Sequence, residues 1–413
     1  MKTNRAISLL VFGNAGAQVV TLILQPFLAG FYGPEIYGLY SEFLKVTIFT
    51  ASLISFKMDI LVVKLPSDEV ATKHVLLGLF LSATLIAILF LSRWALSDFN
   101  PSDGINYAIK LLSCLFLISN LFLAQYCLRL QDFPILSLTK IAQASLFFIF
   151  AILSFHLFGR KISWLVASFL LSQLAVLGVY LWRTKKQLSR YLVLDRFLAF
   201  KYLSRVKLSV FIFISVIANQ GGIIYIIGYI EHHYPLSELG FFTFSLRVLG
   251  IPAMVFGLSF ADTLYQKVSS AINRKNGDIT PDKVMALLFV LFFLGLSSSL
   301  AIYILAPCIT LILGPEWSGV VVTIRTLVVL CCFQVIAAPA FKYFVAYGYE
   351  KFYCSWEVLR FLSLYIFFEF YYHGNIQNFY LVFVGISISA YMFLILCMLL
   401  HVKFHQRGLT IGS

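Results

Sequence analysis

The sequence predicts an all-α polytopic membrane protein, with about twelve transmembrane helices in two six-helix pseudo-symmetric halves around a central cavity. Three observations predict it. Twelve apolar stretches, separated mostly by short polar connections, fill nearly the whole chain. About 20 such residues cross the ~30 Å hydrocarbon core as one helix, and inside lipid only helices or closed barrels satisfy their own backbone. The composition, 61% hydrophobic and 12% charged with 42 Phe and 22 Tyr, is far more apolar than a soluble domain of 413 residues needs. Finally, the second half of the chain repeats features of the first at a constant spacing.

The predicted spans are 6–30, 37–57, 74–96, 105–127, 134–157, 162–182, 207–230, 240–264, 284–313, 319–345, 352–372 and 377–402. The second ends at Phe56-Lys57-Met58-Asp59, although the chain stays apolar to Pro66. The ninth is long enough to tilt or to end at Pro307. Pro26, Pro252, Pro307 and Pro339 lie within spans, where proline marks bends.

Lys and Arg set the orientation. With the N-terminus in the cytoplasm, 22 of the 31 basic residues fall in inner segments and two, Arg160 and Lys161, in outer loops. Both termini are therefore expected in the cytoplasm. Trp94, Trp164, Trp182, Trp317 and Trp356 fall near span ends, where an indole ring favours the membrane interface. The net charge of +13 is then a positive-inside excess, aided by anionic lipid headgroups, and not a nucleic-acid signal. The first span is full length and no cleavage site follows it, so no cleavable signal peptide is expected. The seven Cys lie within or at the ends of spans and read as small hydrophobes. His232-His233 reads as a solvated loop pair, and neither His nor Cys shows metal-ligand spacing, so no cofactor is expected.

The longest connection, Arg183 to Lys207, sits near the midpoint. It is basic and interrupted by Tyr191-Leu192-Val193-Leu194 and Phe197-Leu198-Ala199-Phe200, the pattern of an amphipathic segment on the inner surface. The chain therefore divides into an N-terminal half at 1–182, a linker at 183–206 and a C-terminal half at 207–413. Asn14 in span 1 has its counterpart in Asn219 of span 7, and Gly38 to Lys45 matches Gly240 to Arg247 at an offset of 202. Parallel repeats of this kind build transporters with a site between the halves.

An ionisable residue inside a span costs about 2.5–3.5 kcal/mol on insertion scales, so it needs a purpose or a partner. Lys45 and Arg247 sit about eight residues from the outer ends of their helices, roughly 12 Å deep at ~1.5 Å per residue. Their matching places predict that both face the central cavity as an anion site; the other reading pairs each with a nearby acid, Lys45 with Glu42. Asn14, Gln18, Thr21 and Gln25 share one face of span 1, suited either to a watery cavity or to interhelical hydrogen bonds. Span 4 repeats the idea with Lys110, Ser113 and Asn120, and span 5 with Lys140 and Gln143, Lys140 being able to snorkel inward. Glu357 and Arg360 stand three apart as a local ion pair, Glu369 lies alone near an outer end, and Arg325 packs or snorkels near the outer rim. Glu42, Glu357 and Glu369 are the candidate ion-coupling carboxylates, with Glu42 first for its nearness to Lys45.

Three stretches carry a family resemblance: Phe31-Tyr32-Gly33-Pro34-Glu35-Ile36-Tyr37-Gly38-Leu39-Tyr40, then Ser245-Leu246-Arg247-Val248-Leu249-Gly250-Ile251-Pro252, then Leu313-Gly314-Pro315-Glu316-Trp317 with Ile324-Arg325. With the span count and loop lengths, the chain resembles the Wzx-type polysaccharide flippases of the multidrug/oligosaccharidyl-lipid/polysaccharide exporter superfamily. The family's Arg-x-Glu element after span 2 appears here as Lys57-Met58-Asp59, followed by Leu65-Pro66, with charge signs kept and side chains changed. The resemblance implies movement of undecaprenyl-diphosphate-linked oligosaccharide, as for O-antigen, from the cytoplasmic to the periplasmic leaflet of a bacterial inner membrane. Membrane lipids and the polysaccharide polymerase machinery are the implied partners. Lys45 and Arg247 suit the diphosphate and the span 1 stripe with Asn14 and Gln18 the sugars, and Lys110 and Asn219 are further candidates for the same substrate cavity.

Two other functions compete. A membrane glycosyltransferase or polymerase of the same pathway needs catalytic groups in a sizeable aqueous loop, yet the outer loops are about 4–9 residues. A multidrug exporter of the same superfamily would favour cavity acids over Lys45 and Arg247. No Gly-x-x-x-x-Gly-Lys-[Ser/Thr] loop is present, so direct ATP use is not expected.

Overall fold

The computed structural model describes residues 2–65, 67–96, 101–190, 196–257, 260–261, 264 and 281–411. Side chains at 2–15, 22, 64, 93–96, 101–106, 196–209, 212, 281–283 and 404–411 lie outside the described part, and the expectations for Asn14 and Trp94 fall there. Helices account for nearly all of the described backbone, which contains no strand.

The helices are α1 (Lys2–Ser55), α2 (Asp68–Leu96), α3 (Pro101–Arg129), α4 (Phe133–Phe158), α5 (Ile162–Arg190), α6 (Arg196–His233), α7 (Leu236–Pro252), α8 (Pro281–Leu313), α9 (Val320–Leu327), α10 (Val329–Ala346), α11 (Glu350–Phe370) and α12 (Ile376–Ile411). Short 3₁₀ turns follow α1 at Met58–Lys64 and α8 at Pro315–Trp317, and a π turn, Ala253–Gly257, follows Pro252. Among the described residues, ten helical stretches are long and apolar enough to cross a membrane. The first, Gly16–Ser55, is 40 residues long, about twice one crossing. Gly33 divides it, with φ 76° and ψ 167°. An L side chain resists that conformation, and Pro34 then opens the next helix with its φ preset. Gly314, at φ 93°, and Pro315 repeat the device. Splitting α1 at Gly33 and adding α11, whose Lys351, Glu357, Arg360 and Glu369 keep it out of the ten, gives twelve crossings, with α9 and α10 as one span interrupted at Val328.

Two compact units make up the chain, Met1–Ile217 and Ala218–Ser413. In the expected linker, residues 183–190 continue α5 and 196–206 open α6; residues 191–195 lie outside the described part.

In the first unit, Leu28, Tyr32, Tyr40, Phe43, Phe148 and Phe169 join α1 to α4 and α5, while Met58, Val75, Ile118, Phe122 and Tyr126 join the 3₁₀ turn to α2 and α3. Side-chain hydrogen bonds lock these helices where little water competes. Asn120 donates to the Gln173 carbonyl at 3.0 Å and its Oε1 at 2.7 Å, and Thr139 bonds the Tyr180 hydroxyl at 2.7 Å. The repeat is visible in detail within each unit. Tyr32 donates to the Ala151 carbonyl at 2.9 Å, and its counterpart Tyr234 donates to the Gly374 carbonyl at 2.9 Å.

Tryptophan placement departs from the sequence expectation for two residues. Trp317 is 0% exposed and packs against Phe241 and Phe244, and Trp356 is 5% exposed and donates to the Ala390 carbonyl at 2.9 Å. Both anchor the core of the second unit and not an interface: each ring finds close-packed aromatic neighbours, and Trp356 also finds a carbonyl.

Candidate functional site

At the cytoplasm-predicted end of the first unit, Arg129 closes α3 and gathers the 3₁₀ turn. Its Nε donates to Asp68 at 2.8 Å, and one terminal nitrogen donates to the carbonyls of Val62 at 3.3 Å and Leu65 at 2.5 Å. Arg183 pairs with Asp132 beside it. Beneath the turn, Asp59 is 3% exposed and its Oδ1 has no hydrogen-bond partner. Burial raises its pKa above the ordinary carboxylate value, against the opposing pull of Lys57. Two non-glycine residues with positive φ, Phe56 and Lys57, turn the chain here. Nothing in the apolar run to Pro66 announced a 3₁₀ turn at this point.

The predicted span cations lie on the outside of their units. Lys45, Lys110 and Lys140 are exposed on α1, α3 and α4, and Arg247 is exposed on α7 at the place matching Lys45. Glu42 is half-buried one turn before Lys45. On the span 1 stripe, Gln18 is exposed, Thr21 bonds the Ala17 carbonyl at 2.9 Å, and buried Gln25 donates to the Tyr37 hydroxyl at 2.6 Å. Thr21 and Gln25, towards the outer end of that stripe, therefore serve local contacts, and Gln18 stays presented. Ser113 and Asn120 are buried in helix contacts, leaving Lys110 as the exposed member of its set.

The second unit contains a denser polar cluster. Tyr353, Glu357, Arg360 and Leu364 recur every three or four residues on α11 and so share one face. Glu357 is 1% exposed and Arg360 9%. Glu357 Oε1 accepts from Asn219 on α6 at 2.9 Å and from the Tyr353 hydroxyl at 2.7 Å. Glu357 Oε2 lies 2.9 Å from an Arg360 terminal nitrogen, an ion-pair contact without an in-line hydrogen bond. Arg360 also donates to the Tyr391 hydroxyl at 3.1 Å and stacks over the rings of Trp356, 5.3 Å away, and Tyr391, 5.7 Å away. Its Nε is buried without a partner. A cavity of about 30 Å³ is lined by Arg360 together with Gly222, Gln334, Ser387 and Tyr391 and apolar neighbours such as Leu246.

The local ion pair expected from the i,i+3 spacing is thus present, and Asn219 joins it. Tyr353, Tyr391, Gln334 and Ser387 were not singled out from the sequence. Tyr353 carried a signal, standing four residues before Glu357 on the same face; the others belong to helices whose rotation the sequence leaves open. Glu369 accepts from the Tyr225 hydroxyl at 3.0 Å while remaining exposed. Among the described residues, no three His, Cys, Asp or Glu side chains group as a metal site.

The architecture has close counterparts among solved transporters. A multidrug resistance MATE family transporter of the MOP superfamily, in an inward-facing conformation, superposes with a TM-score of 0.68 at 15% identity, covering 97% of this chain and 95% of that one. An outward-facing structure of such a transporter matches with a TM-score of 0.59 at 14% identity, over 97% and 94% of the two chains. A MOP superfamily transporter from Pyrococcus furiosus, described by the reverse polarity of its binding pocket and a different function suggested by it, matches with a TM-score of 0.55 at 14% identity, over 96% and 93%. No family model and no curated protein matches the sequence. The chain has the fold of MOP superfamily transporters.

Proposed function

We propose that this chain is a flippase carrying an undecaprenyl-diphosphate-linked oligosaccharide from the cytoplasmic to the periplasmic leaflet of a bacterial inner membrane, by alternating access and with both termini cytoplasmic. The polysaccharide polymerase machinery would consume its product. The observation that carries this reading is the sign of the presented charge. Lys45, Lys110, Lys140 and Arg247 are exposed within spans, whereas Glu357 is buried and held by Arg360, and exposed Glu369 near the outer end of its span accepts from Tyr225. A cation facing hydrocarbon costs several kcal/mol, so exposed span cations belong along a watery path. There they suit a diphosphate, which the fork of Arg247 can meet bidentately. Gln18 supplies an amide for sugar hydroxyls, and Asn14 is assigned the same role; Asn219 is committed to Glu357.

The likeness to MATE transporters serves a multidrug exporter equally well. Charge separates the two, since a cationic drug needs an acid in the cavity, whereas Glu357 is paired with Arg360 and Glu369 sits near an outer end bonded to Tyr225. The fold itself accommodates the difference: the Pyrococcus furiosus transporter is distinguished by reversed pocket polarity. The deciding experiment measures binding to the purified chain in nanodiscs, comparing a lipid-linked sugar diphosphate with a cationic dye. Saturable binding of the diphosphate, weakened in Lys45→Ala and Arg247→Ala, supports the flippase. Binding of the dye alone, unaffected by either substitution, overturns it.

A further inference from the structure

We propose that the outer end of α11 binds one phospholipid whose headgroup ends in a primary ammonium, the phosphoethanolamine class, with Glu369 receiving the ammonium. The site lies wholly within the second unit and does not depend on which cargo the chain carries.

Two stripes run side by side along α11. Phe361, Tyr365 and Glu369 recur every four residues, and so do Leu362, Ile366 and Phe370. The second stripe is apolar and exposed throughout. On a membrane-spanning helix such a stripe meets acyl chains, here over ~12 Å at ~1.5 Å per residue. The first stripe ends in the acid. Glu369 precedes the last residue of the helix, Phe370, so its carboxylate sits at headgroup level with the apolar stripe running inward beside it. An exposed acid at that border needs a partner. Its Oε2 accepts from the Tyr225 hydroxyl at 3.0 Å, which occupies one of about four lone-pair positions and brings no charge. Among the described residues, no basic side chain pairs with Glu369. The compensating cation must come from outside the chain.

The neighbouring rings decide which cation. Tyr225 from α6 and Tyr365 from α11 meet edge to face, with centroids 5.1 Å apart at 62°, and the Tyr225 hydroxyl lies 3.5 Å from the Tyr365 carbonyl. Phe370 meets Tyr365 at 6.5 Å and 87°, which joins the two stripes. A cation within about 6 Å of a tyrosine ring is attracted by its face, so an ammonium beside Glu369 gains from the rings as well as from the carboxylate. A primary ammonium carries three N–H donors and bonds the carboxylate directly. A quaternary headgroup keeps the charge and the ring attraction but donates nothing. An anionic headgroup is repelled. The apolar stripe commits the site to a lipid: a soluble amine would gain the carboxylate and the rings but none of the contact along Ile366 and Leu362.

The test is native mass spectrometry of the full chain in detergent, titrated with dioleoyl phosphatidylethanolamine, its N-methyl and N,N-dimethyl forms, phosphatidylcholine and phosphatidylglycerol. Affinity for the first bound lipid should fall in that order. Phosphatidylethanolamine should exceed phosphatidylcholine about tenfold, the worth of a charge-assisted hydrogen bond. Glu369→Gln should bring phosphatidylethanolamine down to the level of phosphatidylcholine. Ile366→Ala should weaken both lipids alike, because it trims the stripe and leaves the headgroup contacts. Glycerophosphoethanolamine, the same headgroup without tails, should compete poorly. Equal binding of the ethanolamine and choline lipids by wild type overturns the proposal, and so does a preference that survives Glu369→Gln. Competition by glycerophosphoethanolamine on a par with the lipid removes the apolar stripe from the site and overturns the lipid assignment. Glu369 is exposed, so Glu369→Gln should keep the wild-type melting temperature. If it does not fold, the methylation series on wild type decides: a graded fall supports donation to a carboxylate, and a flat series overturns it.

Discussion

Replacing Arg360 by Met tests whether the pair on α11 holds the second unit together or merely fills it. The substitution keeps an unbranched chain of similar reach and removes the guanidinium. Glu357, 1% exposed, is then left with two neutral donors, Asn219 at 2.9 Å and Tyr353 at 2.7 Å. Removing one partner of a buried pair costs about 3–5 kcal/mol because the other charge remains unpaired. The two surviving hydrogen bonds keep the loss near the lower end, and lost stacking on Trp356 and Tyr391 adds about 1 kcal/mol. The double substitution Glu357→Met/Arg360→Met removes the charge problem altogether, so it should recover most of that loss despite leaving Asn219 and Tyr353 without their acceptor. The assay is equilibrium unfolding in mixed micelles, followed by tryptophan fluorescence, for wild type, both single variants and the double variant. A positive coupling of at least ~2 kcal/mol is expected from the cycle. Additive losses would refute the reasoning, since they would mean that Glu357 sheds its charge at little cost whether or not Arg360 is there.

Other outcomes follow from single contacts. A Cβ at Gly295 would lie 3.0 Å from the Cys332 Cα and carbonyl oxygen, so Gly295→Ala should force α8 from α10 and cost about 1–3 kcal/mol by the same unfolding assay, whereas Gly178→Ala, with open space around it, should be neutral or stabilising. Gly33→Ala must adopt φ 76° and should lose roughly 1 kcal/mol. Asp59→Asn removes a buried carboxyl whose pKa is raised by burial. Wild type therefore loses stability as pH rises from the ordinary carboxylate range through the raised value, Asn does not, and the variant's advantage in melting temperature should grow across that window and level off above it. Reporter fusions at residue 195 should read cytoplasmic and at 235 periplasmic; the reverse would overturn the orientation.

The fold was legible because lipid imposes one demand that hydropathy reports directly. Span ends agree within a few residues wherever Gly-Pro or a polar hairpin punctuates the chain, as at Gly33-Pro34 and Gly314-Pro315. The interruption at Val328 was not legible, because it lies between apolar residues with helical dihedrals on either side. Trp317 and Trp356 misled for a related reason. Position along a span tells how deep a ring sits, but not whether it faces lipid or the core. The candidate site shows the same limit. Helical spacing revealed Glu357 with Arg360, and matching repeat positions singled out Lys45 and Arg247, each exposed on its own unit. Contributions from other helices, Asn219 to Glu357 and Tyr391 to Arg360, depend on helix rotation and arrived only with tertiary packing.

Charge bookkeeping within the spans bears directly on cargo. An acid buried in a membrane helix is expensive, and a chain has two ways to tolerate it: expose it to water, where it attracts cations, or pair it internally, where it attracts nothing. Glu357 takes the second course, with the guanidinium three residues on and donors from α6 and its own helix, while Glu369 near the outer end of α11 stays exposed with Tyr225 as its donor. Lys45 and Arg247, at equivalent places in the repeat, are both exposed. A transporter of cations built on this fold would be expected to show the opposite allocation, with presented acids and neutralised bases. Reversing one charge by Arg247→Glu and removing the other by Arg360→Gln should therefore separate the two roles. The first should weaken binding of a lipid-linked diphosphate with little change in melting temperature, since Arg247 is exposed. The second should lower the melting temperature and leave diphosphate binding by the folded fraction nearly unchanged. If Arg360→Gln instead abolishes binding in fully folded protein, the guanidinium buried in the second unit, and not the presented cations, recognises the cargo.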